Sequence, residues 1–321
     1  MKSLFVAQLQ PGEELINEPF LLADIVRRKT RDGRPFLLCT LRDRTGLMNG
    51  VFWDVPDYVD AWVKPGLAVL VSGQTNNYKN ALQVNITDLN IAGDTDSADL
   101  LPSSQRTRSD MIADLRDQIN QLAEPWQGLV SYMLLDDDFL ARFADAPAAR
   151  AMHHAYIGGL LEHTLSMASI ANVLAAHYPY VNKDLLLSGT LLHDMGKTME
   201  YSIDGSFAFS EDGRLVGHIT RAVVLIEQAA AKLNFPQEEL RQLVHLILSH
   251  HGKLEWGSPV KPKTLEAILL HQIDLLDSRV QGFFDHIADD AGDEIWTVKS
   301  SLMHGTELRR PPNFSNSTLE E

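Results

Sequence analysis

The sequence predicts a multidomain chain: a small all-β barrel followed by an all-α helical bundle. Three observations predict it. Over residues 1–93, short apolar runs are punctuated by turn signals at Asp32-Gly33, Thr45-Gly46 and Pro65-Gly66. Between 94 and 110 the chain turns polar, with Pro102 and several serines, as linkers do. From Met111 the apolar period becomes helical, first at Ile112, Leu115, Ile119 and Leu122. The expected organisation is therefore a barrel over 1–93, a linker over 94–110, a helical domain over 111–300 and a mobile tail over 301–321. A chain of 321 residues suits two domains at about 150 residues each.

Within the barrel the runs are Phe20–Leu22, Phe36–Leu38, Gly50–Trp53 and Leu67–Val71. Five or so strands without a long intervening helix close most simply on themselves. The stretch Leu41-Arg42-Asp43-Arg44-Thr45-Gly46, followed by Gly50-Val51-Phe52-Trp53, resembles the second and third strands of an OB-fold nucleic-acid-binding module. That resemblance implies a face where bases stack on aromatic rings beside cations. The candidates are Arg27, Arg28, Arg34, Phe36, Arg42, Arg44, Trp53 and Tyr78. Core packing is the alternative for an aromatic in so small a barrel, and it applies first to Phe52 and Trp53.

Hydrophobic residues at 45% and charged residues at 22% exclude a disordered chain, a collagen-like repeat and a disulfide scaffold. Cys39 is the single cysteine, so no intramolecular disulfide forms and a cytoplasmic setting is expected. The start, MKSLFVAQLQPGEEL, lacks the apolar core of a secretory signal, and no run approaches a membrane span of roughly 18 apolar residues. The net charge of −15 argues against a nucleic-acid partner only until it is divided. Residues 1–95 carry 10 Lys or Arg and 11 Asp or Glu, a net −1, and the remainder carries −14.

Eleven of the twelve histidines lie between His153 and His286. His163 sits on a helix with Met167, Ile170 and Leu174 following on its inward face. His193-Asp194 ends the apolar run LLLSGTLLHDMGK, with Gly196 expected as the helix stop. His218 opens the next helix, and His250-His251 end another before Gly252. Asp274 and Asp277 stand three apart on one face of a later helix. So many imidazoles and carboxylates on apolar faces are costly to bury without a partner, and a divalent metal is a strong one. His177, His245, His286 and His304 are expected to be ordinary histidines.

The pattern of His163, His193-Asp194 and late Asp274 resembles the HD superfamily of metal-dependent phosphohydrolases. Adding His218 and His250-His251 resembles its two-metal members. With the barrel in front, the chain resembles the YhaM-type 3′→5′ exoribonucleases, most clearly in HHAYIGGLLEHT and LHQIDLLDSR. The resemblance implies a first metal on His163, His193, Asp194 and Asp274. A second would share Asp194 with His218, His250 and His251. Mn, Fe, Co, Zn and Ni all suit such ligands. It also implies catalysis through Asp194, with Lys197 near a phosphate oxygen and Asp277 behind the ligands, orienting one or pairing with Arg279. His153 and His154 either touch the scissile phosphate or have no role. The segment Tyr201–Gly217 reads as a hairpin that covers substrate or simply packs.

The implied activity is release of nucleoside 5′-monophosphates from single-stranded RNA, with single-stranded DNA as a second candidate substrate, by a protein that would suit a homo-oligomer. Two other readings compete. One is an HD phosphohydrolase of a nucleotide or cyclic dinucleotide with a regulatory barrel, although GKLEWGSP stands where the cyclic-dinucleotide branch has a GYP motif. The other is a non-catalytic RNA-binding protein with a structural metal.

Overall fold

The structure is a computed structural model and describes residues 2–30, 32–78, 81–93, 97–150, 153–203, 207–290, 295–297 and 305–312. It divides into two compact units, Met1–Ser103 with Ser202–Ala208, and Ser104–Tyr201 with Phe209–Glu321. Of the expected linker, residues 94–96 lie outside the described residues, and the short helix α2 below follows them.

In the first unit β1 (Glu14–Lys29), β2 (Pro35–Asp43), β3 (Gly46–Trp53), α1 (Asp57–Trp62), β4 (Ala68–Tyr78) and β5 (Ala81–Ile91) follow in sequence. The five strands close a barrel in the order β1-β2-β3-β5-β4. The period of two decides which residues fill it. Along β2, Leu37, Cys39 and Leu41 are buried while Phe36, Leu38, Thr40 and Arg42 alternate with them facing outward. Closure needs one close approach: a Cβ on Gly73 would lie 2.2 Å from the Asn85 carbonyl oxygen. The sequence reading missed α1, a two-turn helix whose Val59 packs into the barrel core with Val55 and Val63.

Helix α2 (Ser97–Leu100) leads to the second unit, which contains α3 (Arg108–Asn120), α4 (Trp126–Leu134), α5 (Asp137–Asp145), α6 (Gly159–His177), α7 (Lys183–Leu192) and α8 (Lys197–Glu200). A short hairpin, β6 (Tyr201–Ile203) and β7 (Phe207–Phe209), precedes α9 (Glu211–Leu215), α10 (His218–Leu233), α11 (Gln237–Ser249) and α12 (Leu265–Asp289). Side chains that favour N-caps start several of these helices: Asp136 accepts from Phe139 N–H, Asn182 from Leu185 and Thr264 from Ala267.

Helix α7 is the axis of this unit. Every residue from Leu185 to Leu192 is buried, which explains why LLLSGTLL is apolar all round. It packs on α4, α6, α11 and α12, and a Cβ on Gly189 would already meet Leu246 of α11 at 2.6 Å. The helix ends pointing into the middle of the bundle, so whatever follows Leu192 is delivered there.

Three expectations change. Gly196 is not a left-handed helix stop: its φ is −65°, and it precedes α8. Only part of Tyr201–Gly217 is a hairpin, since α9 occupies Glu211–Leu215, and residues 204–206 lie outside the described residues. Residues 305–312, expected within a mobile tail, are held in place: Leu308 packs on Ile287, and Arg310 donates to the Ile287 and Asp290 carbonyls at the end of α12. A buried apolar side chain and a guanidinium capping helix carbonyls account for it. Residues 301–304, with His304, and 313–321 lie outside the described residues.

Candidate metal centre

Asp194 follows α7 and is almost fully buried. Its two oxygens face different neighbours. Oδ2 lies 3.2 Å from His193 Nε2, 4.0 Å from His163 Nε2 and 2.6 Å from Lys197 Nζ. Oδ1 lies 3.5 Å from His218 Nε2 and 3.6 Å from His250 Nε2. Asp274 of α12 joins the first group, with Oδ1 3.5 Å from His163 Nε2. His251 joins the second, its ring centroid 4.4 Å from that of His250 and 5.3 Å from that of His218. Helices α6, α7 and α12 thus supply one cluster, and the ends of α10 and α11 the other, with one carboxylate between them.

The imidazoles are locked through their other nitrogen. Nδ1–H donates to the Thr190 carbonyl from His193 (2.8 Å), to the Ile247 carbonyl from His250 (2.7 Å) and to the Trp256 carbonyl from His251 (2.9 Å). His163 donates to Asp277 and His218 to Glu200, each at 2.7 Å. Fixing Nδ1 as the donor leaves each Nε2 as the ring atom that could ligate a metal. The Nε2 atoms of His163, His193, His218 and His250, and Oδ1 of Asp194, are buried without a hydrogen-bond partner. Orphaned polar atoms of this kind are costly, and a shared cation answers all of them.

Electrostatics point the same way. Burial works against charge on His163, but the carboxylates of Asp274 and Asp277 outweigh it and raise its pKa to about 9. Burial opposes charge on Asp194 and Asp274 too, yet Lys197 and the imidazoles hold Asp194 well below the usual carboxylate range, and His163 and His193 do the same for Asp274. The cluster draws positive charge between its imidazoles and its carboxylates. The residues present fit divalent cations.

Two glycines shape the site by close approach. A Cβ on Gly196 would lie 2.2 Å from the His218 carbonyl oxygen, so glycine lets α10 begin beside Asp194. Gly252 has φ +76°, and the His271 ring sits within 2.3–2.5 Å of where its Cβ would be.

The structure brings together all seven expected ligands: His163, His193, Asp194, His218, His250, His251 and Asp274. Lys197 is buried, with Nζ against Asp194. Asp277 meets His163, a candidate ligand, together with His154 (3.1 Å) and Ser166. Arg279 does not join it: two residues apart on a helix are on opposite faces, and Arg279 is exposed. His154 belongs to the network that orients His163, through Asp277 on one side and Tyr156 on the other (2.7 Å). His153 lies 5.8 Å from the His163 ring, and burial and Lys197 lower its pKa to about 3. The sequence reading missed Glu200, one turn beyond Lys197, and His271, which donates to the His250 carbonyl at 2.9 Å.

The 3′-5′ exoribonuclease YhaM of Geobacillus sp. (strain WCH70) is 35% identical over 279 residues, spanning 86% of this chain and 85% of that protein. The chain belongs to the YhaM family. Residues 160–279 match the HD domain, and 20–92 match the OB-fold nucleic acid binding domain. Solved structures resembling the barrel include a domain of replication protein A from Methanococcus maripaludis (19% identity, 27% of this chain, 92% of that one, TM-score 0.23). Another is PriB from Ralstonia solanacearum (17%, 26%, 100%, TM-score 0.22). Both likenesses are too slight to bear on function. As a YhaM-family protein, the chain is a metal-dependent hydrolase of the HD superfamily carrying a nucleic-acid-binding module.

On that module the candidates are differently placed. Phe36 and Trp53 stack with centroids 4.7 Å apart on the outer face, beside Arg28, which pairs across from Phe36. Trp53 is 51% exposed while its neighbour Phe52 is core. Tyr78 is exposed at the far end of β4, and Arg42 faces outward on β2. Three arginines are engaged locally: Arg27 with Asp60 (2.6 Å) and the Val63 carbonyl, Arg34 with Asp32 (2.7 Å) and Asp54 (3.0 Å), and Arg44 with Asp99 (3.5 Å). No described helix is long and apolar enough to cross a membrane.

Proposed function

We propose that this protein is a 3′-5′ exoribonuclease that shortens single-stranded RNA, with single-stranded DNA as a second candidate substrate, to nucleoside 5′-monophosphates. One observation supports it most: a single buried carboxylate, Asp194, presents one oxygen to each of two histidine clusters, in which Nε2 of His163, His193, His218 and His250 is buried without a hydrogen-bond partner. Two divalent ions fit this arrangement. His163, His193, Asp194 and Asp274 would hold one, and Asp194, His218, His250 and His251 the other. Such ions acidify water and neutralise charge on a phosphodiester.

The chain's own residues do the rest. Asp194 fixes both halves of the site relative to each other. Asp277 and Glu200, through His163 and His218, hold two imidazoles in the ligating tautomer. Lys197 keeps Asp194 ionised and adds positive charge where phosphate arrives. Phe36 and Trp53 stack bases of the strand on the barrel, with Arg28 and Arg42 near its phosphates. Cys39 as sole cysteine supports a cytoplasmic setting, and homo-oligomeric assembly belongs to the same reading.

The test uses protein stripped with chelator and reloaded with one metal at a time, given 3′- and 5′-labelled RNA and DNA. Metal-dependent release of labelled 5′-mononucleotide from the 3′-labelled RNA first is expected. Endonucleolytic fragments, or hydrolysis confined to mononucleotides and cyclic dinucleotides, would overturn the reading.

A further inference from the structure

We infer that the turn following His251 is a base-stacking subsite for the substrate strand at the metal centre, with Trp256 as the platform and Lys253 as its phosphate contact. The inference rests on the exoribonuclease reading above and adds a recognition element on the helical unit itself.

The turn is built rigidly. Gly252 N–H donates to the Ser249 carbonyl (2.8 Å), Lys253 N–H to that of His251 (2.9 Å) and Trp256 N–H to that of Lys253 (3.1 Å). The buried Ser258 hydroxyl donates to the Leu248 carbonyl at 3.1 Å, so both ends are tied to α11. From this frame the Trp256 carbonyl receives the Nδ1–H of His251. Any residue at 256 would supply that carbonyl. The indole is not needed for it, yet it is 43% exposed, beside an exposed Leu254, on a residue hydrogen-bonded to a metal ligand. A large apolar ring partly exposed on a hydrogen-bonded turn, beside the His271 ring at 6.1 Å, has much of its ordering cost already met, which favours a flat ligand.

Lys253 supplies the second half of the argument. Its ammonium lies 4.2 Å over the indole, and both side chains face solvent. An aromatic face with a mobile cation beside it is the combination that binds single strands with little sequence preference: the base takes the ring and the ammonium follows the phosphate. Among the described residues, Trp53, exposed at the end of β3, serves the barrel in the same chemical manner.

The experiment measures kcat and KM on a single-stranded RNA oligonucleotide for metal-loaded wild type, Trp256→Ala, Trp256→Phe and Lys253→Gln. Trp256→Ala is expected to raise KM about tenfold while kcat falls less than about threefold, a size set by stacking of one base. Trp256→Phe should keep KM within about threefold of wild type, a comparison that stands even if the alanine variant is too unstable to assay. Lys253→Gln should make KM less steeply dependent on salt, through one fewer phosphate contact. A fall in kcat at constant KM, or phenylalanine no better than alanine, would show that the ring merely supports His251 and would overturn the subsite. A wild type inert on RNA overturns the exoribonuclease reading and this one together. A wild type that cleaves RNA beside variants with unaltered KM overturns the subsite alone.

Discussion

Replacing Gly196 with alanine adds one methyl group at a position with no room for it. The new Cβ would lie 2.2 Å from the carbonyl oxygen of His218 and 2.9 Å from its Cα, both backbone atoms that cannot rotate away. An ordinary carbon–oxygen contact is longer by roughly 1 Å, so the start of α10 must retreat by about that much. His218 Nε2 stands 3.5 Å from Asp194 Oδ1, and its Nδ1 is held to Glu200 at 2.7 Å, so the retreat pulls it out of the second cluster. The rest of α10 is anchored by Ile219, Ala222, Ile226 and Ala230 in the core, which keeps the fold. A misplacement of about 1 Å in an active-site group costs on the order of 100-fold, or ~2.7 kcal/mol of barrier. The assay is kcat/KM on single-stranded RNA with the thermal midpoint measured alongside. The expected result is a loss of about two orders of magnitude in rate from a protein that still unfolds cooperatively. Wild-type activity in Gly196→Ala would refute the claim that this close approach positions His218.

Three further predictions follow from particular contacts. Asp194→Ala should abolish hydrolysis and, in metal-free protein, also destabilise the helical unit by about 3–5 kcal/mol because it strands the buried Lys197 ammonium; urea melts of Asp194→Ala and of Asp194→Ala with Lys197→Met check this, the double variant regaining stability but not activity. Adjacent residues on β3 should behave oppositely: Trp53→Ala weakens RNA binding about tenfold with little change in stability, whereas Phe52→Ala costs ~3–5 kcal/mol of barrel stability, as filter binding and denaturant melts would show. Burial pushes the Cys39 thiol up to about 12, so it stays neutral at every pH below that and forms thiolate only above it; native protein at pH 8 should resist a thiol reagent that labels the urea-unfolded chain at once.

What could be read from the sequence follows from which groups carry information there. Side-chain period fixed the barrel strands and the helices that bear the ligands, because a buried face must repeat every 2 or 3.6 residues whatever the partner. The seven candidate ligands were legible because imidazoles and carboxylates on apolar helices are costly to bury without a partner, and because their order along the chain resembles that of the HD superfamily. The groups that orient them were not. Three of the five Nδ1 acceptors are the backbone carbonyls of Thr190, Ile247 and Trp256, and a carbonyl is present at every position, so no residue type marks it. The arginine cluster misled in the opposite sense. Arg27 and Arg34 look like a cationic patch in sequence, but besides Asp32, two residues from Arg34, their carboxylate partners Asp60 and Asp54 lie 33 and 20 residues away, brought in by α1 and by the end of β3. Local charge density therefore overstated the cations available to a nucleic acid. Phe36 and Trp53 were candidates from sequence, but that they stack on each other on the outer face follows only from the register of β2 and β3. Gly196 shows the same limit: its neighbour His218 is 22 residues distant, so the sequence suggested a helix stop where the fold needed an absent side chain.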